Sequence, residues 1–530
     1  MHWTDVPPLR EETHFGRALR CFAARPPNLA TLFAETVARH GGREALVDGA
    51  QRLDYAKLDR VAERLAGHFH RLGLARGDRI ALFLGNEREF VHALLAGLRL
   101  GAIVVPVNVR EQRPELRFIL DQCGAKASVF DAALADRLPS PAEAPALAVR
   151  VAVGGAAPGA VAFEALLETR SPQAPRADPG EEEPAVILYT SGTTGRPKGA
   201  VLTHLNVIHS VLHYRVCMRL TAADRSLLAV PASHVTGLVA IVLGMIAVGG
   251  CVVTLREFKA RAFLELAARE RMTHTLVVPA IYNLCLREPD FARFDLSAWR
   301  VGGFGGAPMP EGTLLALAER LPGLTLMNAY GATETTSPTT IMPMGRQAAN
   351  LDSVGAVVPC GDVRVMDDAG REVPPGASGE LWIAGPMVVP GYWENPEATA
   401  REFAGGYWKS GDLGAIDAQG FVRVFDRKKD MINRAGYKVY SAEVESVLSL
   451  HPGVVESALV AVPDPVLGEK THAFVVTRDS VCTPEALRAH CAAHLADYKV
   501  PDFVTLRTDP LPRNANGKVL KRALRDAPSG

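Results

Sequence analysis

Between Arg79 and Asp131 the chain switches repeatedly between two hydrophobic periods, and no other feature constrains its fold as much. RIALFLG reads as a buried strand, and EREFVHALLAGLRLG as an amphipathic helix closed by Gly101. AIVVPV is a second strand, PELRFILDQCG a helix opening with Pro114, and KASVFD a third strand. Strand and helix taking turns predict an α/β class with largely parallel sheets covered by helices. At 530 residues the chain exceeds one ordinary core, so at least two domains are expected, the larger one subdivided.

Lys plus Arg (58) balance Asp plus Glu (58), which gives no general drive toward nucleic acid or an anionic membrane. Any anion site must be local. The N-terminal MHWTDVPPLREETHFGRALRCF mixes acids and bases without an apolar core, so no signal or transit peptide is read and a cytoplasmic location is expected. From Ser226 to Leu255 there is no Asp, Glu, Lys or Arg, yet Pro231, His234 and several glycines interrupt the run. It predicts a buried strand and helix, with no transmembrane segment. Eight scattered cysteines without a CxxC pair read as reduced and buried. The pairs His209/His213 and His490/His494 share an i, i+4 spacing but lack the HExxH glutamate, so core or helix surface is preferred to metal.

Three glycine-punctuated segments carry the chemistry. YTSGTTGRPKGA (189–200) follows the strand AVILYT and combines glycines, hydroxyls and Lys198, a composition suited to a polyphosphate. Its spacing is not that of a Walker loop, because Pro197 stands where the second glycine belongs and Gly199 follows the lysine. GGFGGAPMP (302–310) and NAYGATETT (328–336) are further turns, and Glu334 among threonines offers the hard oxygens that magnesium prefers. The Pro- and Ala-rich stretches between Leu138 and Pro184 suit surface connections. After the strand FVRVFDR the chain changes character. A helix at 441–449, strands VVESALVAV and HAFVVT, and a helix capped by Thr483 and Pro484 form a small α+β domain.

YTSGTTGRPKG, GGAP, YGATE, YWKSGDLG (407–414), DRKKDMINRAGYKVYSAEVE (426–445) and NANGK (514–518) occur in the order found in the adenylate-forming superfamily of acyl-CoA synthetases, peptide-synthetase adenylation domains and firefly luciferases. The chain resembles that superfamily from about Asn28 to Arg525, and with PVN and GYWENPEAT it is most similar to bacterial acyl-CoA ligases. The resemblance implies a large N-terminal domain of several subdomains, 1–428, and a small mobile C-terminal domain, 429–530, with a hinge at Lys429. It also implies two half-reactions. A carboxylic acid attacks the α-phosphorus of ATP to give acyl-AMP and pyrophosphate; CoA thiol then displaces AMP.

The resemblance assigns roles by position. Thr190, Ser191, Gly192, Thr193, Thr194 and Gly195, with Lys198, would hold the β- and γ-phosphates; Glu334 would bind Mg2+ and Thr333 the α-phosphate. Gly306, Ala307 and Tyr330 would flank adenine, Gly331 would belong to the same cofactor-binding set, and Asp412, assisted by Arg427, would bind the ribose hydroxyls. Lys518 would bridge carboxylate and α-phosphate, where positioned positive charge relieves anion repulsion in the transition state. His234 would meet the substrate carboxylate, and Gly436 would line the path of the CoA thiol.

No aspartate stands near PASHVTGLVAIVLG to meet an α-ammonium, which disfavours amino acids. A medium- or long-chain fatty acid leads, with an aromatic or other hydrophobic acid next. PASH departs from the family's commoner PLFH, and Ala435 from its first tunnel glycine, so no relative's preference carries over. The alternatives are an enzyme loading a separate carrier protein, a non-catalytic nucleotide-binding module and a luciferase-like oxygenase. Retention of Glu334, Asp412, Arg427 and Lys518 together argues against the binding module. A homodimer is left open, since its interface would read as any apolar surface.

Overall fold

The computed structural model describes residues 2–169, 173–174, 176–190, 196–477, 482–513 and 519–526. The chain divides into two compact units, one of residues 1–309, 313–363 and 383–408, the other of 310–312, 364–382 and 409–530.

In the first unit the alternation read between Arg79 and Asp131 becomes three parallel strands, Arg79–Phe83, Ile103–Pro106 and Ala125–Asp131, joined by the helices Arg88–Leu100 and Arg113–Cys123. These strands are central to a seven-stranded sheet that also takes in Val149–Val153 on one side and Pro184–Thr190 on the other. The segment between Leu138 and Pro184 is more structured than its Pro- and Ala-rich flanks suggested. Val149–Val153 pairs in parallel with Ala125–Asp131, and the helix Phe163–Glu168 follows. The glycine-rich motif also differs from a strand-to-helix loop. It connects Pro184–Thr190 to an antiparallel partner, Lys198–Thr203, which places Lys198 at the start of a buried strand.

A second sheet in this unit orders its parallel strands Thr325–Tyr330, Val301–Phe304, His274–Val277, Arg225–Leu228, Cys251–Thr254 and Glu44–Asp48. Its register sets Val277, Phe304 and Asn328 level, so the loops after them leave the same edge. The uncharged stretch becomes the strand Arg225–Leu228, the wide-turn π-helix Thr236–Leu243 with its continuation Gly244–Val248, and the strand Cys251–Thr254. No helix among the described residues is long and apolar enough to cross a membrane. All eight cysteines are free and buried. His209 and His213 are core residues whose Nε2 atoms accept from the backbone N–H groups of Phe22 and Cys360.

The second unit contains a five-stranded sheet ordered Tyr437–Val439, Ile432–Arg434, Gly468–Thr477 and Val454–Asp464, with Phe503–Arg507 parallel to Gly468–Thr477. The helices Ser441–Ser449 and Pro484–His494 contribute Val444, Leu448, Leu487 and Cys491 to a core with Ile432, Leu459 and Val475. Thr483 caps the second helix by accepting from Ala486 N. Each such aliphatic side chain contributes about 1.5–3 kcal/mol when fully buried.

Gly305 decides how closely two strands of the second sheet approach. A Cβ there would lie 2.2 Å from Ala329 O, so any side chain must push two backbones apart. Gly305→Ala is expected to lower the apparent melting temperature by about 4 °C or more. Gly42→Ala, at an exposed glycine with nothing within 4 Å of the added carbon, should leave it within about 1 °C. Differential scanning fluorimetry of both variants checks this.

Candidate active site

In open α/β sheets ligands settle at the carboxyl ends of the strands. Two of the motif loops leave that edge of the second sheet as neighbours. After Val301–Phe304 comes Gly306, with φ +76°, and Ala307; both are exposed. After the adjacent strand come Gly331 and the short helical turn Thr333–Thr335, and Tyr330, Gly331 and Thr333 are partly exposed. Gly306, Ala307 and Tyr330, expected from the sequence as adenine walls, and Gly331, expected as cofactor-binding, therefore begin from one edge.

Glu334 lies on that short turn and is 8% exposed. Tyr392 Oη donates to its Oε1 at 2.9 Å. The same hydroxyl lies 2.5 Å from Glu402 Oε2, and Lys198 Nζ donates to both Glu402 oxygens at 2.6 and 2.7 Å. Lys198 Nζ also lies 3.3 Å from Tyr392 Oη and 4.3 Å from its ring centroid. Burial pushes the Glu334 carboxyl above the usual range, against the Tyr392 hydrogen bond and the Lys198 charge. At Glu402 burial also acts upward, but the Lys198 and Tyr392 hydrogen bonds outweigh it and hold the group low. Burial, then the two carboxylates, push Tyr392 far up, so it stays a donor.

The backbone fixes these groups. Trp393 N donates to Gly199 O at 2.7 Å, Val201 N to Gly391 O at 3.1 Å, and Val389 N to Glu334 O at 2.9 Å. One segment thus laces the strand of Lys198 to the turn of Glu334. Glu402 is 21% exposed and has other partners, so removing one member of this pair is expected to cost less than the roughly 3–5 kcal/mol of a fully buried one. Thr190 is half-buried, its Oγ1 3.4 Å from Lys198 O. Ser191, Gly192, Thr193, Thr194, Gly195 and Lys518 lie outside the described residues.

His234 heads the helix after Arg225–Leu228. Its backbone N donates to Pro231 O and its O accepts from Leu238 N. Gly237 makes this turn feasible, since a Cβ there would lie 2.3 Å from Pro231 O. Thr236 N approaches His234 Nδ1 at 3.4 Å, which favours the tautomer protonated at Nε2. The residue is exposed overall, and the protein packed around its ring lowers the imidazole pKa below its ordinary value.

Asn86 holds this loop. Its Nδ2 donates to the carbonyls of Leu228, Val230 and Leu255 at 3.2, 3.0 and 3.2 Å, and its Oδ1 accepts from Ala232 N at 2.8 Å. It follows the strand Arg79–Phe83, so it ties one sheet to the strand ends of the other.

In the second unit Arg427 Nε pairs with Asp412 Oδ1 at 2.7 Å, and the two residues face each other across an antiparallel ladder. Arg427 also donates to Ser410 O. Arg525 clamps the stretch after them, reaching Lys429 O at 3.2 Å and Asp430 Oδ1 at 2.7 Å. Gly436, with φ +90°, is exposed, and nothing lies within 4 Å of an added Cβ.

Sequence reasoning missed Asn86, Tyr392 and Glu402 as site residues. Tyr392 falls inside a quoted phrase, GYWENPEAT, that carried no chemical assignment; Glu402 and Asn86 had no local signal.

Asn86→Ala leaves several buried backbone groups without a partner, at about 1–3 kcal/mol for each one not otherwise satisfied. We expect a loss of at least about 2 kcal/mol in urea unfolding, with faster hydrogen exchange concentrated at residues 228–234. Asn86→Asp should fare no better, because a carboxylate cannot donate to three carbonyls.

Two family models match the chain, AMP-binding enzyme over residues 33–393 and AMP-binding enzyme C-terminal domain over residues 443–518. A feruloyl-CoA synthase of Amycolatopsis sp is 35% identical over 491 residues, 92% of this chain and 95% of that protein. A long-chain-fatty-acid–CoA ligase, FadD13 of Mycobacterium tuberculosis, is 33% identical over 480 residues, covering 90% and 93%. The structure of o-succinylbenzoate CoA synthetase from Bacillus subtilis with ATP and magnesium superposes with a TM-score of 0.83 at 28% identity, covering 95% of this chain and 100% of that one. With matches along nearly its whole length, the chain belongs to the AMP-binding enzyme family and is an adenylate-forming acyl-CoA synthetase, an AMP-forming acid–CoA ligase.

Proposed function

We propose that this synthetase activates a hydrophobic monocarboxylic acid, with medium- or long-chain fatty acids first and aromatic acids next, and passes the acyl group to CoA. The observation that carries the reading is the segment bearing His234, which has no charged side chain from Ser226 to Leu255 and runs on into a buried apolar helix. An ammonium or a second carboxylate on the acid would find no counter-charge on that segment. Two of the named relatives, the feruloyl-CoA synthase and the long-chain-fatty-acid–CoA ligase, bear hydrophobic acids in their names, which supports the reading, whereas the o-succinylbenzoate CoA synthetase bears a dicarboxylic one.

In the first half-reaction an oxygen of the acid's carboxylate bonds to the α-phosphorus of ATP, and the bond from that phosphorus to the bridging oxygen of pyrophosphate breaks. His234, neutral and protonated at Nε2, would donate a hydrogen bond to the carboxylate and orient it. Gly306, Ala307 and Tyr330 would flank the adenine with Gly331 beside them in the nucleotide site, the Asp412 carboxylate would accept from the ribose hydroxyls with Arg427 assisting, and Thr333 would donate to the α-phosphate. Thr190 and residues 191–195 would hold the leaving pyrophosphate. The Glu334 carboxylate and the neighbouring threonine hydroxyls are hard oxygen donors that fit Mg2+, which when bound offsets phosphate charge. Lys518 would bring the two anions together.

In the second half-reaction the CoA sulfur bonds to the acyl carbon, AMP leaves, and the thiol proton is released. Lys429 would be the pivot between the two steps. Gly436 would leave room for the pantetheine arm.

The test measures pyrophosphate and AMP release with Mg2+ and ATP across fatty, aromatic and dicarboxylic acids, with and without CoA. CoA-dependent turnover restricted to hydrophobic monocarboxylic acids is expected; preference for a dicarboxylic or amino acid would sink the substrate reading. Lys518→Ala should lower acyl-AMP formation by about 10²-fold or more while thioester formation from supplied acyl-AMP survives. Gly436→Leu should show the opposite pattern, with a stability loss of only about 1–2 kcal/mol from the left-handed backbone. Equal loss of both half-reactions in either variant would refute the division of labour.

A further inference from the structure

We propose that Lys198 is a positioning residue for the metal-binding carboxylate, acting through the relay Lys198, Glu402, Tyr392, Glu334 and making no direct contact with phosphate. The inference rests on the reading of Glu334 as the Mg2+ ligand.

The geometry accounts for all three ammonium protons. Two are directed at the Glu402 oxygens, at 2.6 and 2.7 Å, and the third has Tyr392 Oη at 3.3 Å. A lysine has three donors and no more. The side chain is 9% exposed and its stem is fixed in the strand Lys198–Thr203, and turning outward would leave Glu402 with only Arg401 and Tyr392 as partners.

Tyr392 has a single hydroxyl proton and two carboxylates within reach, Glu402 at 2.5 Å and Glu334 at 2.9 Å. Glu402 competes with Glu334 for it. By filling both Glu402 oxygens, Lys198 reduces that demand and leaves the tyrosine free to hold Glu334 Oε1. Its charge also offsets the repulsion between the two carboxylates. The relay is rigid at every step. Tyr392 is 5% exposed, its N–H donates to Thr399 Oγ1 at 3.0 Å, and its ring packs edge-on against Phe403. Glu402 closes the helix Pro396–Glu402 and takes a further hydrogen bond from Arg401 at 3.0 Å.

The experiment uses the full chain, with Mn2+ titrated by electron paramagnetic resonance in the presence of a non-hydrolysable ATP analogue. It runs beside kcat and the KM for ATP in acyl-AMP formation with Mg2+. Lys198→Met and Tyr392→Phe are expected to weaken Mn2+ binding by about tenfold or more, the usual effect of losing a partner that orients a metal ligand. Both should lower kcat while the KM for ATP stays within about threefold. The decisive variant is Lys198→Met with Glu402→Met. If the lysine works by satisfying Glu402, removing both restores most of the Mn2+ affinity that Lys198→Met lost.

A double variant no better than Lys198→Met, or a Lys198→Met enzyme with a raised KM for ATP and unchanged Mn2+ affinity, overturns the relay and assigns the lysine to phosphate. Should Lys198→Met fail to fold, Tyr392→Phe and the double variant, judged against the parent enzyme, carry the test. Glu334→Gln separates the two levels. Unchanged Mn2+ binding in that variant overturns the reading of Glu334 itself, whereas a loss there with none in Tyr392→Phe overturns the relay alone.

Discussion

A carboxylate loses several kcal/mol of hydration on burial unless its oxygens are met, and around Glu334 that demand is met by side chains from distant parts of the chain. Tyr392 reaches it from one segment, Glu402 braces Tyr392 from the end of a helix, and Lys198 braces Glu402 from a strand. The Tyr392–Glu402 contact is local, but that of Lys198 needs the hairpin Pro184–Thr190/Lys198–Thr203 brought to it and that of Glu334 needs its own turn. Because each member is left with a buried unmet group when its neighbour goes, the network is worth more than a sum of separate pairs. The position of the Glu334 carboxylate is thus set by a polar chain behind it.

The same logic of alignment runs through the second sheet. Parallel pairing keeps Val277, Phe304 and Asn328 level, and the close approach at Gly305 keeps the loops after two of those strands adjacent. Arg225–Leu228 lies in the same sheet, and the turn after it would be free to move on its own. Asn86 prevents that by binding three carbonyls and one N–H across from the first sheet. The carboxamide is suited to this because it donates and accepts at once; neither Asp nor Leu of similar size could do both. His234 inherits its place from that anchor.

Much of this was legible in the sequence, for physical reasons. The period changes between Arg79 and Asp131 are local, as are the stop at Gly101 and the cap at Thr483, and the structure has all of them. The glycine motifs were readable because a backbone that approaches a ligand or another strand needs them. What stayed hidden depends on partners far along the chain. Glu402 reads as one more acid on an exposed helix until its partner, 204 residues away, is placed beside it. Asn86 reads as a turn residue, although its acceptors are more than 140 positions on. The strand Val149–Val153 was masked by its Pro- and Ala-rich surroundings, and Lys198 by a motif that directs attention to phosphate before a strand is considered.

The turn at residues 231–234 holds two small residues in different settings. Ala232 and Ser233 are both smaller than the residues commoner at those positions, but the structure separates them. Ala232 is 1% exposed and its N–H is held by Asn86, so its small size belongs to the packing of the anchor. A larger side chain there would strain a tightly packed site. Ser233 is half-buried, and Pro231 and His234 are exposed, so Ala232 is the one side chain of the turn shut away from solvent. Each methylene of an acid withdrawn from water contributes about 0.8 kcal/mol, and a pocket discriminates one methylene by only about 1–3 kcal/mol. The segment beyond this turn carries no Asp, Glu, Lys or Arg from Ser226 to Leu255, so what it offers is apolar surface without a counter-charge.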